Sequence, residues 1–343
     1  MKTTETLFPT QKHTIDIPIV NPQILSLITT DKCTATCNNC CFQCSPHKNQ
    51  TMSLQDMINI IKESTQSFPS IISCVFTGGE CTLLGKDLHE AIKYATSKNL
   101  KCRIVTNGHW AISKQRALSF LSQLKNAGLR ELNLSTGDEH QQWVPYSRIV
   151  NACQAAVELN LFVAVNIEST PQSTFTSKTM INDCKLSRYI TNGKIFVKDS
   201  LWIEFDKSTN SCYQNKTLND GPCTNLFNTI SISPNKHLQA CCGLTCKNNK
   251  YLDLGDISQY SIQKLYKEQF DDLLKIWLYT HGPKEIYSFL CKKKNIIDDS
   301  YNYPHICSLC HHILENKENM DIIKNDISSI IPSIMLKYHF INQ

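Results

Sequence analysis

Residues 29–46 read TTDKCTATCNNCCFQCSP, which puts five cysteines within twelve positions. The run follows a short apolar segment, ILSLI (24–28), and precedes a helical pattern that starts near Ser53. A cysteine loop therefore occupies the first strand-to-helix connection, where a Gly-rich phosphate loop would otherwise stand. Within it, Cys33-x3-Cys37-x2-Cys40 supplies three thiolates, enough for three corners of a [4Fe–4S] cube with the fourth iron left open. An overlapping copy, Cys37-x3-Cys41-x2-Cys44, has the same spacing, so spacing alone leaves the register undecided. Zinc is the alternative, although its sites favour paired CxxC knuckles over a three-cysteine loop.

Outward from this loop, apolar strands alternate with helical stretches from residue 24 to 204. A helix opens with the capping pattern Ser53–Asp56, and IISCVF (71–76) is the second strand. The pattern continues with a helix at 87–98, CRIVT (102–106) and a helix capped by Ser113 and ended by Gly128. ELNLS (131–135), a helix over 146–159, LFVAVNI (161–167), a helix near 177–190 and IFVKDSLWI (195–203) complete the series. Strands separated by helices of this length predict βαβ units and a parallel sheet, curved towards a partial (β/α)6 barrel. Cys74, Cys102 and Cys153 fall on strand or helix faces and read as core.

After residue 205 the character shifts to Asn, Lys and Cys with irregular spacing, which suggests a smaller cysteine-rich domain over 205–312. Residues 1–23 read as an N-terminal extension, too short for a separate peptide-binding domain, and 313–343 as a helical tail. Eight cysteines lie in the second region: Cys212, Cys223, Cys241, Cys242, Cys246, Cys291, Cys307 and Cys310. A second cluster needs four, and Cys223, Cys241, Cys307 and Cys310 are the chosen set, with structural zinc at the same thiols as the alternative. Adjacent cysteines rarely both ligate one cluster, so Cys242 is left as a non-ligating thiol, with Cys246 a competitor for either job. His311 and His312 are expected to cap a helix or to face solvent.

The landmarks at successive strand ends fall in step with the cysteine loop. They are FTGGE (76–80), TNGHW (106–110), Ser135 with Asp138, and Asn166; Thr30 stands three residues before Cys33. In this combination the chain resembles the radical S-adenosylmethionine (radical SAM) enzymes, which favours the Cys33, Cys37, Cys40 register. The resemblance implies that Gly78 and Gly79 let backbone approach SAM and that Glu80 lies near its methionine amine. Asn107, Ser135, Asp138 and Asn166 then fall on the SAM side, and Glu139 and His140 near it.

A narrower resemblance is to the peptide epimerases that modify ribosomally made epipeptides. It is carried by CCFxCSP (40–46), FTGGE, the NGxW turn with its following Ser-Lys, the segment from Ser135 to Val144, the pair at 241–242 and the CxxC at 307–310. It implies a twitch/SPASM-like auxiliary [4Fe–4S] domain and Cys242 as a thiol hydrogen donor. The implied substrate is a precursor peptide, and the implied electron donor is a protein such as flavodoxin or ferredoxin.

Bulk properties agree with these expectations. The chain has 343 residues, 18 of them cysteine, and a formal charge of +5. Its basic residues are dispersed except for Lys292, Lys293 and Lys294, so no nucleic-acid stripe is expected. No apolar run reaches the ~18 residues of a membrane helix, and the first 20 residues lack a signal-peptide core. A reducing, cytoplasmic setting is expected, where abundant thiols point to metal or redox chemistry rather than to disulfides.

Overall fold

The computed structural model describes residues 17–202 and 221–342. Cys212 and the rest of 203–220 lie outside it, as does most of the N-terminal extension. The chain divides into two compact units, one built from Ile24–Trp202 with Ser233–Asn235, the other from the remainder.

The first unit holds β1 (Ile24–Ile28), β2 (Ser73–Thr77), β3 (Lys101–Thr106), β4 (Leu129–Gly137), β5 (Phe162–Ser169) and β6 (Ile195–Leu201). All neighbours pair in parallel and in chain order. The main crossovers are helices Leu54–Ser67, Lys86–Ser97, Lys114–Ala127 and Tyr146–Glu158. Their ends follow the sequence signals. Ser53 Oγ accepts the Asp56 N–H, Ser113 Oγ accepts the Arg116 N–H, and Gly128 closes its helix at φ +116°.

The pairing register separates two faces of this sheet. Leu25, Leu27, Cys74, Phe76, Cys102, Ile104, Leu132, Leu134, Val163 and Val165 alternate onto one face and are at most 1% exposed. Together with Met57, Ile61, Leu88, Ile92, Leu121 and Ile149 of the helices they form the core. Each such side chain contributes roughly 1.5–3 kcal/mol by leaving water. The opposite face carries Arg103, Glu131, Asn133, Ser135, Asn166 and Lys198. Polar groups are thus concentrated on the face opposite this core.

Two expectations change here. The helix expected near 177–190 is two single turns, Ser177–Ile181 and Ser187–Thr191. Between them Asp183 Oδ1 accepts the Lys185 N–H at 2.7 Å, a local turn that competes with the helix. β4 and β5 also run past the expected ends, so Ser135 and Asn166 are paired inside strands rather than at their tips.

The second unit contains β7 (Thr229–Ile232), β8 (His237–Gln239) and β9 (Asp253–Asp256), which pair antiparallel. Helices follow at Ile262–Glu268, Leu273–Thr280, Pro283–Lys294, Ile306–Glu315, Lys317–Asp326 and Ile331–Ile341. Phe227 stacks on Phe270 at 4.3 Å between centroids in its core. The Tyr266 hydroxyl donates to Val20 O at 2.7 Å, and the Tyr338 hydroxyl donates to Pro18 O. His305, not His311 or His312, caps the helix Ile306–Glu315, since its Nδ1 accepts the Cys307 N–H at 3.0 Å. His312 is exposed, the solvent-facing alternative, with its ring 5.3 and 5.9 Å from those of Tyr303 and Tyr287. Among the described residues no helix is long and apolar enough to cross a membrane.

Candidate active site

The cysteine loop leaves β1 and is tied back on itself. The Asp31 N–H donates to Gln50 O, the Met52 N–H to Thr29 O and the Cys33 N–H to Ser45 O, at 2.8 to 3.1 Å. Thr30 Oγ1 accepts the Lys32 N–H at 3.0 Å and meets Thr51 Oγ1 at 2.8 Å, so the threonine before the first cysteine is a clamp on the loop's two ends. Cys33, Cys37 and Cys40 remain half-exposed, as does Cys41, whereas Cys44 is buried. The Cys44 N–H donates to Cys40 Sγ at 3.4 Å.

The electrostatics of the three thiols describe an unfinished donor set. Burial, helped by the neighbouring Glu80 and Cys40, pushes Cys33 up to about 11. Burial, then Cys40, Cys33, Glu168 and Glu139, pushes Cys37 up to about 12. Cys40 is drawn down to about 6, chiefly by the Cys44 side chain and amide. Three neighbouring sulfurs repel one another as thiolates, and a bound metal cluster would hold such ligands deprotonated.

The glycine turn after β2 serves the loop rather than open space. Gly78 has φ +133°, and a Cβ there would lie 2.5 Å from Thr30 O. At Gly79 a Cβ would lie 2.2 Å from Lys32 O. The Gly79 and Glu80 amides donate to these same carbonyls, at 2.6 and 2.9 Å. Both glycines are thus required by the close approach of the two backbones.

Glu80 is wholly buried. Its Oε1 accepts from the Thr82 hydroxyl at 2.6 Å and the Thr106 hydroxyl at 2.8 Å, and its Oε2 accepts the Asn107 N–H at 2.8 Å. Burial pulls this carboxyl up, but the donors of His109, Thr82 and Asn107 outweigh it, and its pKa lies below the usual value. Glu80 therefore binds the turn after β3 to the turn after β2. That places the Asn107 amide 2.9 Å from Thr34 Oγ1 and 3.7 Å from Cys33 Sγ.

On β4 and β5, Ser135 and Asn166 stand side by side in register on the polar face. Asp138 does not join them, because its carboxylate accepts from Thr174 N, Thr174 Oγ1 and Phe175 N at 2.7 to 3.2 Å. The group that the sequence reading missed is Glu168, nearly buried on β5 and paired in register with Gly137. It accepts the Glu139 N–H at 2.7 Å and the His140 N–H at 3.3 Å, and meets His140 Nδ1 at 2.9 Å. The His140 ring stacks on Trp202 at 5.2 Å. Glu139 Oε2 in turn accepts the Asn38 N–H of the cysteine loop at 3.4 Å. The sequence pattern ends this strand at residue 167, two positions before its actual end at Ser169, which leaves the carboxylate outside it.

A Cβ on Gly137 would lie 1.8 Å from Glu168 Oε2. Glu168→Ala is expected to cost roughly 2–3 kcal/mol, by leaving buried donors unsatisfied. Gly137→Ala is expected to cost less in the Glu168→Ala background than alone, by more than ~1 kcal/mol in urea unfolding of the four proteins. Additive effects would mean that the carboxylate and the glycine are not coupled.

In the second unit, Cys223, Cys241, Cys307 and Cys310 line one pocket with Leu226, Leu252 and Leu278. Gly243 sits between two of these sulfurs, and a Cβ there would lie 3.2 Å from Cys307 Sγ and 3.5 Å from Cys241 Sγ. Burial raises all four thiols, Cys307 to about 12. Cys246 is fully buried beside Cys242, and Cys242 is half-exposed. The four sulfurs and the missing Cβ fit a bulky cationic group. Among the described residues no three His, Cys, Asp or Glu side chains converge closely enough for one metal ion.

This loop, turn and sheet define a class. Residues 27–170 match the family model of the radical SAM superfamily, so the chain carries a radical SAM domain. YydG of Bacillus subtilis (strain 168), a protein whose name assigns it to peptide biosynthesis, is 25% identical over 139 residues. That match covers 39% of this chain and 43% of YydG, less than half of the relative's length. The structure of native anSMEcpe with bound AdoMet is similar at a TM-score of 0.54 and 14% identity, over 89% of this chain and 100% of that one. The anSMEcpe structure with AdoMet and the Cp18Cys peptide gives 0.53 and 15%, over 89% and 99%. At such identities these two likenesses speak for the fold alone.

Proposed function

We propose that the chain is a radical SAM enzyme that inverts L-residues of a ribosomally made peptide to D. The observation that carries this reading is Cys242, a half-exposed thiol adjacent in sequence to one of four sulfurs lining a common pocket. The partial match to a protein named for peptide biosynthesis supports the substrate class.

In this reading Cys33, Cys37 and Cys40 hold the cluster that binds SAM, and Cys223, Cys241, Cys307 and Cys310 hold an auxiliary one. Reductive cleavage of SAM supplies a 5′-deoxyadenosyl radical able to take a hydrogen from a peptide Cα. The chain's own residues do the rest. Gly78, Gly79 and Glu80 fix the cysteine loop, and Asn107 presents its amide beside Cys33. Ser135 and Asn166 offer polar contacts on the open face, while Asp138 holds the segment at 174–175. Cys242 gives its S–H hydrogen to the planar Cα from the opposite face, which sets the inverted configuration. Its sulfur regains an electron and a proton before the next turnover, with a flavodoxin or ferredoxin as the expected donor. A reducing cytoplasm suits such a set of thiols.

The test is the mass of the precursor peptide encoded beside the gene, after reaction in heavy water. Each inverted residue is expected to gain a deuterium. Cys242→Ala should still release 5′-deoxyadenosine but leave the peptide unlabelled and uninverted. A peptide that instead loses two hydrogens, in both the wild type and the variant, would show a thioether or carbon–carbon cross-link and overturn the reading.

A further inference from the structure

Asn133 lies in the middle of β4, on the polar face. Asparagine is depleted in strands, so local propensity does not explain it. It is only 8% exposed, flanked in register by Val105 and Ala164, and among the described residues its Oδ1 has no hydrogen-bond partner. Exchanging the amide's oxygen and nitrogen would only change which end is unsatisfied. Buried polar groups are nearly always paired, and an orphan in the centre of a sheet is an acceptor open to a donor from outside the described residues. The surrounding face is partly open: Ser135 is half-buried, Asn166 is exposed and Phe162, diagonal to Asn133, is 55% exposed.

We propose that Asn133 binds a peptide unit of the substrate; this rests on the peptide-modifying reading above. A side-chain amide presents one acceptor and a pair of donors, the complement of a backbone C=O and N–H. Position argues for peptide over SAM. The cysteine loop meets the sheet at Asn107 and at residues 138–140. Asn133 precedes Gly137 by four residues on its strand and pairs with Val105, two residues before Asn107, which places it ~7 to 13 Å down the strands from those two contacts. At that depth the face pairs an apolar ring, Phe162, with one unsatisfied amide. That combination suits a side chain and a backbone unit of one extended segment.

The experiment uses the anaerobically reconstituted enzyme and a fluorescein-labelled synthetic copy of the precursor peptide encoded beside the gene, read by anisotropy. Asn133→Leu, nearly isosteric, and Asn133→Ser, which fits in any case, are compared with wild type. Peptide Kd is expected to rise about tenfold in both. SAM Kd should be unchanged, and the Asn133→Leu melting temperature equal to or above that of wild type, since an unsatisfied buried oxygen is gone. Unchanged peptide Kd in the variants would overturn the inference and leave the peptide reading standing. Weakened SAM binding would overturn it too, because the amide would then serve the cofactor. No peptide binding by wild type would overturn both.

Discussion

Gly79→Ala is expected to leave the sheet folded and the cysteine loop unable to close. The added Cβ would lie 2.2 Å from Lys32 O, and the Gly79 and Glu80 amides are already bonded to Thr30 O and Lys32 O. Relieving the overlap means breaking those bonds or lifting the loop from the turn, at a cost of about 3 kcal/mol. Glu80 would move with the turn, and with it the Asn107 amide beside Cys33. The measurement is iron content and 5′-deoxyadenosine yield after reconstitution, alongside far-UV circular dichroism. A near-normal helix and sheet signal with most of the SAM cleavage lost is the expected pair of results. Full cleavage activity would mean that the loop does not need this contact. Gly85→Ala controls for backbone strain without a clash, since Gly85 has φ +55° yet a Cβ there meets nothing within 4 Å.

The second large effect decides the register of the loop. Cys33→Ala, Cys37→Ala and Cys40→Ala are each expected to abolish SAM cleavage, whereas Cys41→Ala should retain it. The three expected ligands influence one another's charge, and Cys44 is buried behind Cys40, donating its amide to that sulfur. In the other register Cys41 and Cys44 would be essential and Cys33 and Cys40 dispensable. Electron paramagnetic resonance of the reduced proteins, with and without SAM, reads the outcome at the cluster itself. Retention of the SAM-dependent signal in Cys33→Ala would select the second register.

How far the sequence carried these conclusions depends on the kind of interaction. The strands and crossover helices were legible because their signals are local: apolar alternation in Leu25–Leu27 and Ile104, a serine cap at Ser53 and at Ser113, a glycine stop at Gly128. Thr30, the glycine turn and Asn107 were legible as a constellation, since each stands at a strand end in step with the cysteines. What those residues touch was not legible. The reason for Gly78 and Gly79 is a backbone 47 to 48 positions earlier, and the partners of Glu80 include a hydroxyl 26 positions away. Asp138 belongs by sequence to the segment with Glu139 and His140, yet its carboxylate accepts from Thr174 and Phe175. Glu168 and Asn133 escaped notice for a related cause. One lies beyond the end that the pattern gives its strand and the other inside ELNLS, and only the pairing register shows which face each occupies.

The anchoring of the segment before β1 has a consequence for the order in which the chain matures. Pro18 and Val20 are held by hydroxyls of Tyr338 and Tyr266, across sequence separations of 320 and 246 residues. The strands and helices of Ile24–Trp202 form one continuous stretch of chain, to which only Ser233–Asn235 are added from later in the sequence. They can assemble while the ribosome is still translating the remainder. The second unit cannot be completed until its C-terminal part has emerged, because Val20 waits for Tyr266 and Pro18 for Tyr338 of the last helix. Its buried thiols therefore meet late, and the two halves of the protein reach maturity at different times.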